Sequence, residues 1–480
     1  MNHESSLNSE KVIFLRKTKT CLSKSSMRKI IYSLLILICS HGLLGQKISF
    51  FDKLTSKKLI GEGNELFYAG RTSEAMLTYK RAKLKNPLSG EACYQLSVAQ
   101  FELRNFYAAH ENVIAAQKLI TKKKDGEYYY YLGRIYHSVS KTDSARSFYI
   151  MAQEKLGPRI SKDYDLDILI QQCDFVEKEL KYNVQYICKP FSRAVNSKYD
   201  EYGAILIYDK QRLYFTARQP ETTGNNINYG DQKFYEDIYR ADWNDDKKNW
   251  VINISEMEDY NTEGFDALNF ISRDGKYGLL TINTSASVEK LTQSSEIYEF
   301  EADDEDSSWY IDPIKSETIN TSYFEGSATI TDTSFDEDET ATQTMVFVSD
   351  RNAEKSLTDL YSVKRVDDKW EEATSLKEIN TTGRETTPFI TADGNFLFFS
   401  SDALPGMGGY DVYYCKWDNN KWGKPINLGA AINTVNDDTH FQYFPEFKIG
   451  TVSSITDYDG YFSYDIFQFD LSNSNFPFLK

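Results

Sequence analysis

The chain has 480 residues, 41% hydrophobic and 14% aromatic, with a formal net charge of −16. That is ample apolar material for a buried core and for two or more domains. The acidic balance argues against nucleic acid, whose phosphates require Lys/Arg neutralisation, and against adsorption on anionic lipid.

Residues 1–45 read as a targeting segment of an exported protein. Arg28-Lys29 gives a positive n-region, Ile30 to Ile38 an apolar h-region, and Ser40, Gly42 and Gly45 follow before Gln46. The apolar run is too short for a bilayer span, which takes about 20 residues. Met27 is a natural alternative start, with residues 1–26 then an N-terminal extension. Cys39 raises a lipoprotein alternative, against which the bulky Ile38 argues. Downstream, Cys93, Cys173, Cys188 and Cys415 show no paired spacing and are expected as buried free thiols.

Residues 52–182 carry amphipathic periodicity and few strand formers, and they repeat. Gly63, Ala75, Tyr79, Ala82 and Pro87 mark a first unit. Leu96, Ala109, Val113 and Ala116 follow 34 residues on, and Leu132-Gly133, Tyr136, Ala145, Tyr149 and Ala152 come 36 further. Small Ala residues let paired helices approach closely, and the aromatics fill the gap to the next unit. Asp165 to Lys181 reads as a capping helix with Leu166, Leu169, Ile170, Cys173, Val176 and Leu180 on one face. Within the run Tyr128 to Tyr131, residues Tyr128, Tyr130 and Tyr131 are candidates for a concave binding surface.

From residue 183 to 480 the pattern is all β. A motif ending in Tyr or Phe recurs five times, at Asp237-Ile238-Tyr239, Glu296-Ile297-Tyr298, Asp359-Leu360-Tyr361, Asp411-Val412-Tyr413 and Asp465-Ile466-Phe467. The first four are followed by Trp250, Trp309, Trp370 and Trp422, each opening a fourth strand. Next come Asn261-Thr262, Asn320-Thr321, Asn380-Thr381 and Asn433-Thr434, stepping by 59, 60 and 53 residues. Four short strands per unit, with turns such as Asp393-Gly394, describe one propeller blade. The last unit shows three strands. Its fourth is expected from Val184 to Cys188, ahead of Asn196-Ser197, so that an upstream strand closes a five-bladed ring and leaves no open edge. The fold class is therefore α+β multidomain: an N-terminal α-solenoid followed by an all-β, five-bladed propeller.

An acidic residue stands five positions after the repeated Asn at Glu201, Glu325, Glu385 and Asp438; in the second blade Glu263 lies two positions after Asn261. These five are the candidate site, a ring of negative charge for a basic partner segment. The competing reading is local, each carboxylate capping loop N–H groups. The loops 218–234, 283–295 and 402–409 share that face. No HExxH, GxSxG, P-loop or zinc pattern occurs, so no catalytic residue, metal or cofactor is expected. The acidic clusters at 303–306 and 336–339 read as solvated turns.

The helical units resemble the tetratricopeptide repeat. The blades resemble the PD40-type (WD40-like) repeat, also found in the periplasmic TolB protein, best at Thr391-Ala392-Asp393-Gly394, Leu397 to Asp402, Gly409 to Tyr413 and Trp422 through Asn433. With the targeting segment, the order is similar to the front part of Bacteroidota OmpA-family envelope proteins. The resemblance implies a non-catalytic protein-binding scaffold in the periplasm or on the periplasmic face of the outer membrane, with protein partners in type 9 secretion, gliding or OmpA-type assemblies. Direct peptidoglycan binding is not expected, since no OmpA-like motif follows the propeller; such a domain on a neighbouring reading frame is a further alternative. The alternative function is a glycan-binding or glycan-hydrolysing propeller, which needs only two suitably placed carboxylates.

Overall fold

The computed structural model describes residues 48–472, apart from 122–123, 182–186, 208–210, 229–231, 284–294, 304–307, 336–338, 352–356, 446 and 459–460. The targeting segment and much of the acidic clusters lie outside the described residues. Among the described residues, seven helices precede an all-β propeller of five blades. Among the described residues, no helix is long and apolar enough to cross a membrane.

The helices are α1 (Phe50–Tyr68), α2 (Thr72–Lys85), α3 (Gly90–Glu102), α4 (Phe106–Leu119), α5 (Gly126–Ser138), α6 (Thr142–Asp163) and α7 (Leu166–Lys181). The first helix of each pair starts on a side-chain cap. Ser49, Ser89 and Asp125 accept from the N–H of Asp52, Ala92 and Tyr128, satisfying donors that a helix start leaves orphaned. The turn between partners passes through a left-handed residue each time: Gly70, Arg104 and Ser140. Ala75, Ala109 and Ala145, and Ala82, Ala116 and Ala152, are all fully buried. Gly63 and Gly133 lie flat against the rings of Tyr79 and Tyr149, where a Cβ would overlap the ring. Helix α6 kinks at Gly157-Pro158, where proline removes a helical donor.

Blade 1 is β2 (Asp200–Ile207), β3 (Arg212–Arg218), β4 (Asp237–Asn244) and β5 (Asn249–Ile252). Blade 2 is β6 (Phe265–Ile271), β7 (Tyr277–Asn283), β8 (Glu296–Ala302) and β9 (Trp309–Pro313). Blade 3 comprises β10 (Glu325–Ile330), β12 (Ala341–Ser349), β13 (Asp359–Val366) and β14 (Lys369–Trp370), with the short β11 (Ser334–Phe335) and β15 (Thr374–Ser375). Blade 4 comprises β16 (Glu385–Ile390), β17 (Phe396–Ser401), β18 (Asp411–Asp418), β19 (Lys421–Trp422) and β20 (Ile426–Asn427). Blade 5 is β21 (Asp438–Phe444), β22 (Ile449–Tyr458) and β23 (Tyr461–Asp470), completed by β1 (Lys189–Pro190), which pairs antiparallel with β23. The pairing residues lie just beyond the expected Val184 to Cys188, of which residues 184–186 fall outside the described residues.

Each innermost strand breaks register once. In four blades a left-handed residue marks the break: Gly203, Ser327, Thr387 and His440. A bulge of this kind adds local twist, which an innermost strand needs in order to wrap the axis. Aromatics fill the gaps between blades: Trp309 of blade 2 stacks on its neighbour Phe300, centroids 4.0 Å apart and planes at 10°, and packs on Tyr214 of blade 1 at 5.3 Å. Cys93, Cys173 and Cys415 are buried free thiols, and Cys188 is buried beside the Ala431 carbonyl.

The helices dock on the propeller. Val176, Met407 and Ala430 form a small shared core. Phe462 packs its ring on Phe106 and Tyr107 at 4.8 and 5.2 Å, and the buried His137 Nε2 lies 2.8 Å from the Met407 carbonyl.

Candidate functional site

The repeated Asn and acidic residues form one device, built five times at the blade junctions. The Asn side chain closes a two-point clamp on the third strand of the blade it leaves. Asn261, Asn320, Asn380 and Asn433 each accept from and donate to the backbone of Ile238, Ile297, Leu360 and Val412 at 2.8–3.0 Å. Asn196 does the same to Ile466. The next residue, Ser197, Thr262, Thr321, Thr381 or Thr434, donates its N–H and hydroxyl to a carboxylate four positions on.

Those carboxylates are Glu201, Asp266, Glu325, Glu385 and Asp438, each 0% exposed. Ser349, Ser401 and Ser454 add a hydroxyl donor to the last three, and Arg351 pairs with Glu325 at 3.1 Å. The ring thus corrects the expectation at one place: in blade 2 the carboxylate is Asp266, and Glu263 contributes its backbone carbonyl to Asn226 instead. Its other members, Glu201, Glu325, Glu385 and Asp438, point into their own loops rather than out to a partner. Burial, opposed by these hydrogen bonds, pushes Glu201 up to about 8 and Asp266 and Asp438 to about 7.

The accessible site lies beside this ring, in a cleft of about 670 Å3 between the helices and the loop-bearing face of the propeller. The helical wall supplies Phe101, Glu102, Arg104, Phe106, Tyr130, Tyr131 and Arg134; the propeller wall supplies Arg384, Asp402 and Asp437. Arg104 reaches across the junction to pair with Asp437 at 3.4 Å and lies 4.8 Å over the Tyr464 ring. The Tyr464 hydroxyl donates to Asp437 at 3.1 Å, and its N–H to Asp200 at 3.0 Å. Lys233 holds Asp200 at 2.6 Å. Burial pushes the Asp200 carboxyl up, but Lys233 and Arg104 outweigh it and leave it below the usual range. At the rim Arg384 pairs with Asp402 at 3.2 Å.

Glu102 behaves differently. Desolvation at the end of α3 raises its carboxyl, only partly opposed by Arg134 and a Tyr131 hydrogen bond. Arg134 is held by the Tyr130 hydroxyl at 2.8 Å and lies 5.3 Å over the Phe101 ring. The cleft therefore holds the Glu102 carboxyl, its proton affinity raised, in one lining with the Asp402 and Asp437 carboxylates, which Arg384, Arg104 and Tyr464 fix in place. Two of the three tyrosines singled out from the sequence, Tyr130 and Tyr131, line the cleft; Tyr128 is buried beside Tyr94, ring centroids 4.8 Å apart.

Glu102, Arg104, Arg134, Asp402 and Asp437 carry no repeat signal. One local cue is an arginine, Arg104 at φ 60°, in the turn where the preceding unit has Gly70 and the following one Ser140.

Comparison with known proteins gives neither a matching protein-family model nor a matching curated protein. The resemblance to tetratricopeptide, PD40 and OmpA-family proteins gains no support from it. Similarity to solved structures extends to a putative glycosidase from Bacteroides thetaiotaomicron (11% identity, TM-score 0.33, covering 57% of this chain and 88% of that one). A thermostable family-43 glycoside hydrolase shows 12% identity and TM-score 0.29, covering 47% and 74%. A PL25 ulvan lyase, a polysaccharide lyase, shows 10% identity and TM-score 0.27, covering 55% and 69%. These likenesses concern chain architecture. Those solved chains are named for glycan cleavage, and the expectation of a chain that is not an enzyme is not carried forward.

Proposed function

We propose that this protein acts on glycans, binding a carbohydrate chain in the cleft between its helices and its propeller and hydrolysing it there. The carrying observation is the composition of that cleft: the aromatic residues Phe101, Tyr130 and Tyr131 share one lining with the carboxyls of Glu102, Asp402 and Asp437. Aromatic rings stack on the apolar faces of sugars, and glycoside hydrolysis uses a pair of carboxyl groups flanking the scissile bond. Glu102 is the proton donor to the departing glycosidic oxygen. Asp437, oriented by Arg104 and Tyr464, is the carboxylate that takes the proton from the attacking water or meets the anomeric carbon.

The protein-scaffold reading is not carried forward. Export to the cell envelope stays part of the proposal and rests on the sequence of residues 28–46. The test is a panel of soluble polysaccharides assayed for new reducing ends, with Glu102→Gln and Asp437→Asn as variants. Both variants should bind the substrate and fail to cleave it. If no polysaccharide is bound or cleaved, or if both variants retain full activity, the reading is wrong.

A further inference from the structure

We propose, resting on the glycan reading above, that the concave groove of the helical domain and the cleft form one track for a linear, uncharged polysaccharide. The groove has about 960 Å3 and runs across α1, α3 and α5. Tyr131 lines both spaces, which sets the groove directly beside the cleft. Small-molecule sites end at about 1,000 Å3. Groove and cleft together exceed that, and neighbouring helices at 8–10 Å make the groove on the order of 20 Å long. That shape fits a polymer lying across the helices.

The lining chemistry chooses among polymers. Lys53, Lys57 and Lys124 face Glu91, Asp125 and Glu127, three cations against three carboxylates. Such a groove sets up no net field to hold an anionic chain. Tyr68 and Tyr94 line it together with the amides of Asn64 and Gln95; rings with amide donors and acceptors suit the hydroxyls and apolar faces of neutral sugars. Tyr68 is 84% exposed on a helix whose core face lies elsewhere, so packing does not account for it.

The experiment measures binding of neutral gluco-, xylo- and manno-oligosaccharides, from disaccharide to octasaccharide, by calorimetry on the full chain. Affinity should climb with length in at least one series. Tyr68→Ala should cost the octasaccharide about 2- to 10-fold in affinity, the worth of one aromatic stack, and leave the disaccharide unchanged. Gln95→Ala, away from the hairpin core, serves as a second variant with the same expected pattern. Length-independent affinity, or equal losses for short and long ligands, overturns the track while leaving the cleft reading intact. If no oligosaccharide of any length binds the wild-type chain, the cleft reading falls and the track falls with it.

Discussion

Asn196 grips Ile466 at both ends of its peptide unit, across 270 residues of chain: the Ile466 N–H donates to Asn196 Oδ1 at 2.9 Å, and Asn196 Nδ2 donates to the Ile466 carbonyl at 2.9 Å. In the other four blades the same clamp spans only 20–23 residues. The 196–466 clamp therefore joins the first propeller segment to the last blade beside β1 and β23. Asn196→Ala removes both bonds and leaves buried backbone groups unpaired, at about 1–3 kcal/mol each. Urea denaturation should show a loss of about 2–4 kcal/mol, and limited proteolysis should cut first in blade 5. Unchanged stability would show that β1 alone closes the ring.

Stability should fall with pH above neutrality. Glu201 at about 8 and Asp266 and Asp438 at about 7 lie above the ordinary carboxyl values near ~4. Between those limits the folded protein holds protons that the unfolded chain has released, so stability drops as pH rises through this window. His137 and His440 act oppositely: burial lowers both to about 4, so their contribution rises with pH and is complete by about 6.5. From about pH 6.5 to 8 only the decline remains. A thermal melting series should show Tm falling over that interval, and Glu201→Gln should flatten it. A rising profile there contradicts the buried-carboxyl account.

Arg104→Ala separates strain from function. The side chain sits at φ 60°, where a non-glycine residue costs about 1–2 kcal/mol, and it pairs with Asp437 at 3.4 Å. Arg104→Gly should recover part of that strain and melt within a few degrees of wild type. Both variants should lose at least tenfold in kcat on whatever glycan the panel identifies, because Asp437 loses its orienting partner. Retained kcat in both would show that Tyr464 alone orients Asp437.

Trp309→Ala tests the blade core. The indole is buried and stacked on Phe300 at 4.0 Å, so its removal should cost about 3–5 kcal/mol in denaturant unfolding. Trp417, 40% exposed, should cost clearly less. Equal losses would place the inter-blade packing elsewhere.

Much of this was legible in the sequence because a repeat writes the same local constraint several times. The Asn–Thr–carboxylate loop closes within five residues, so its spacing survives in the chain and reveals both the blade count and the junctions. Read strictly, the spacing from Asn261 lands on Asp266, the residue the structure uses, rather than on Glu263. What such a pattern does not carry is direction. The same carboxylates serve equally in sequence as a surface ring or as buried caps, and only the packed loops turn them inward, to 0% exposure.

The cleft was illegible for a different reason. Arg104 and Asp437 lie 333 residues apart, each occurs once, and nothing local marks them beyond an arginine in a glycine's turn. The sequence by itself determined the blades, the helix pairs and the order in which they come, since all but the closure of blade 5 is specified by contacts within a few tens of residues. Which face of the propeller the helices cover, and hence which carboxyls meet across a cleft, was decided only by the docking of Val176, His137 and Phe106 against Met407 and Phe462. That is a long-range fit of surfaces with no period to betray it.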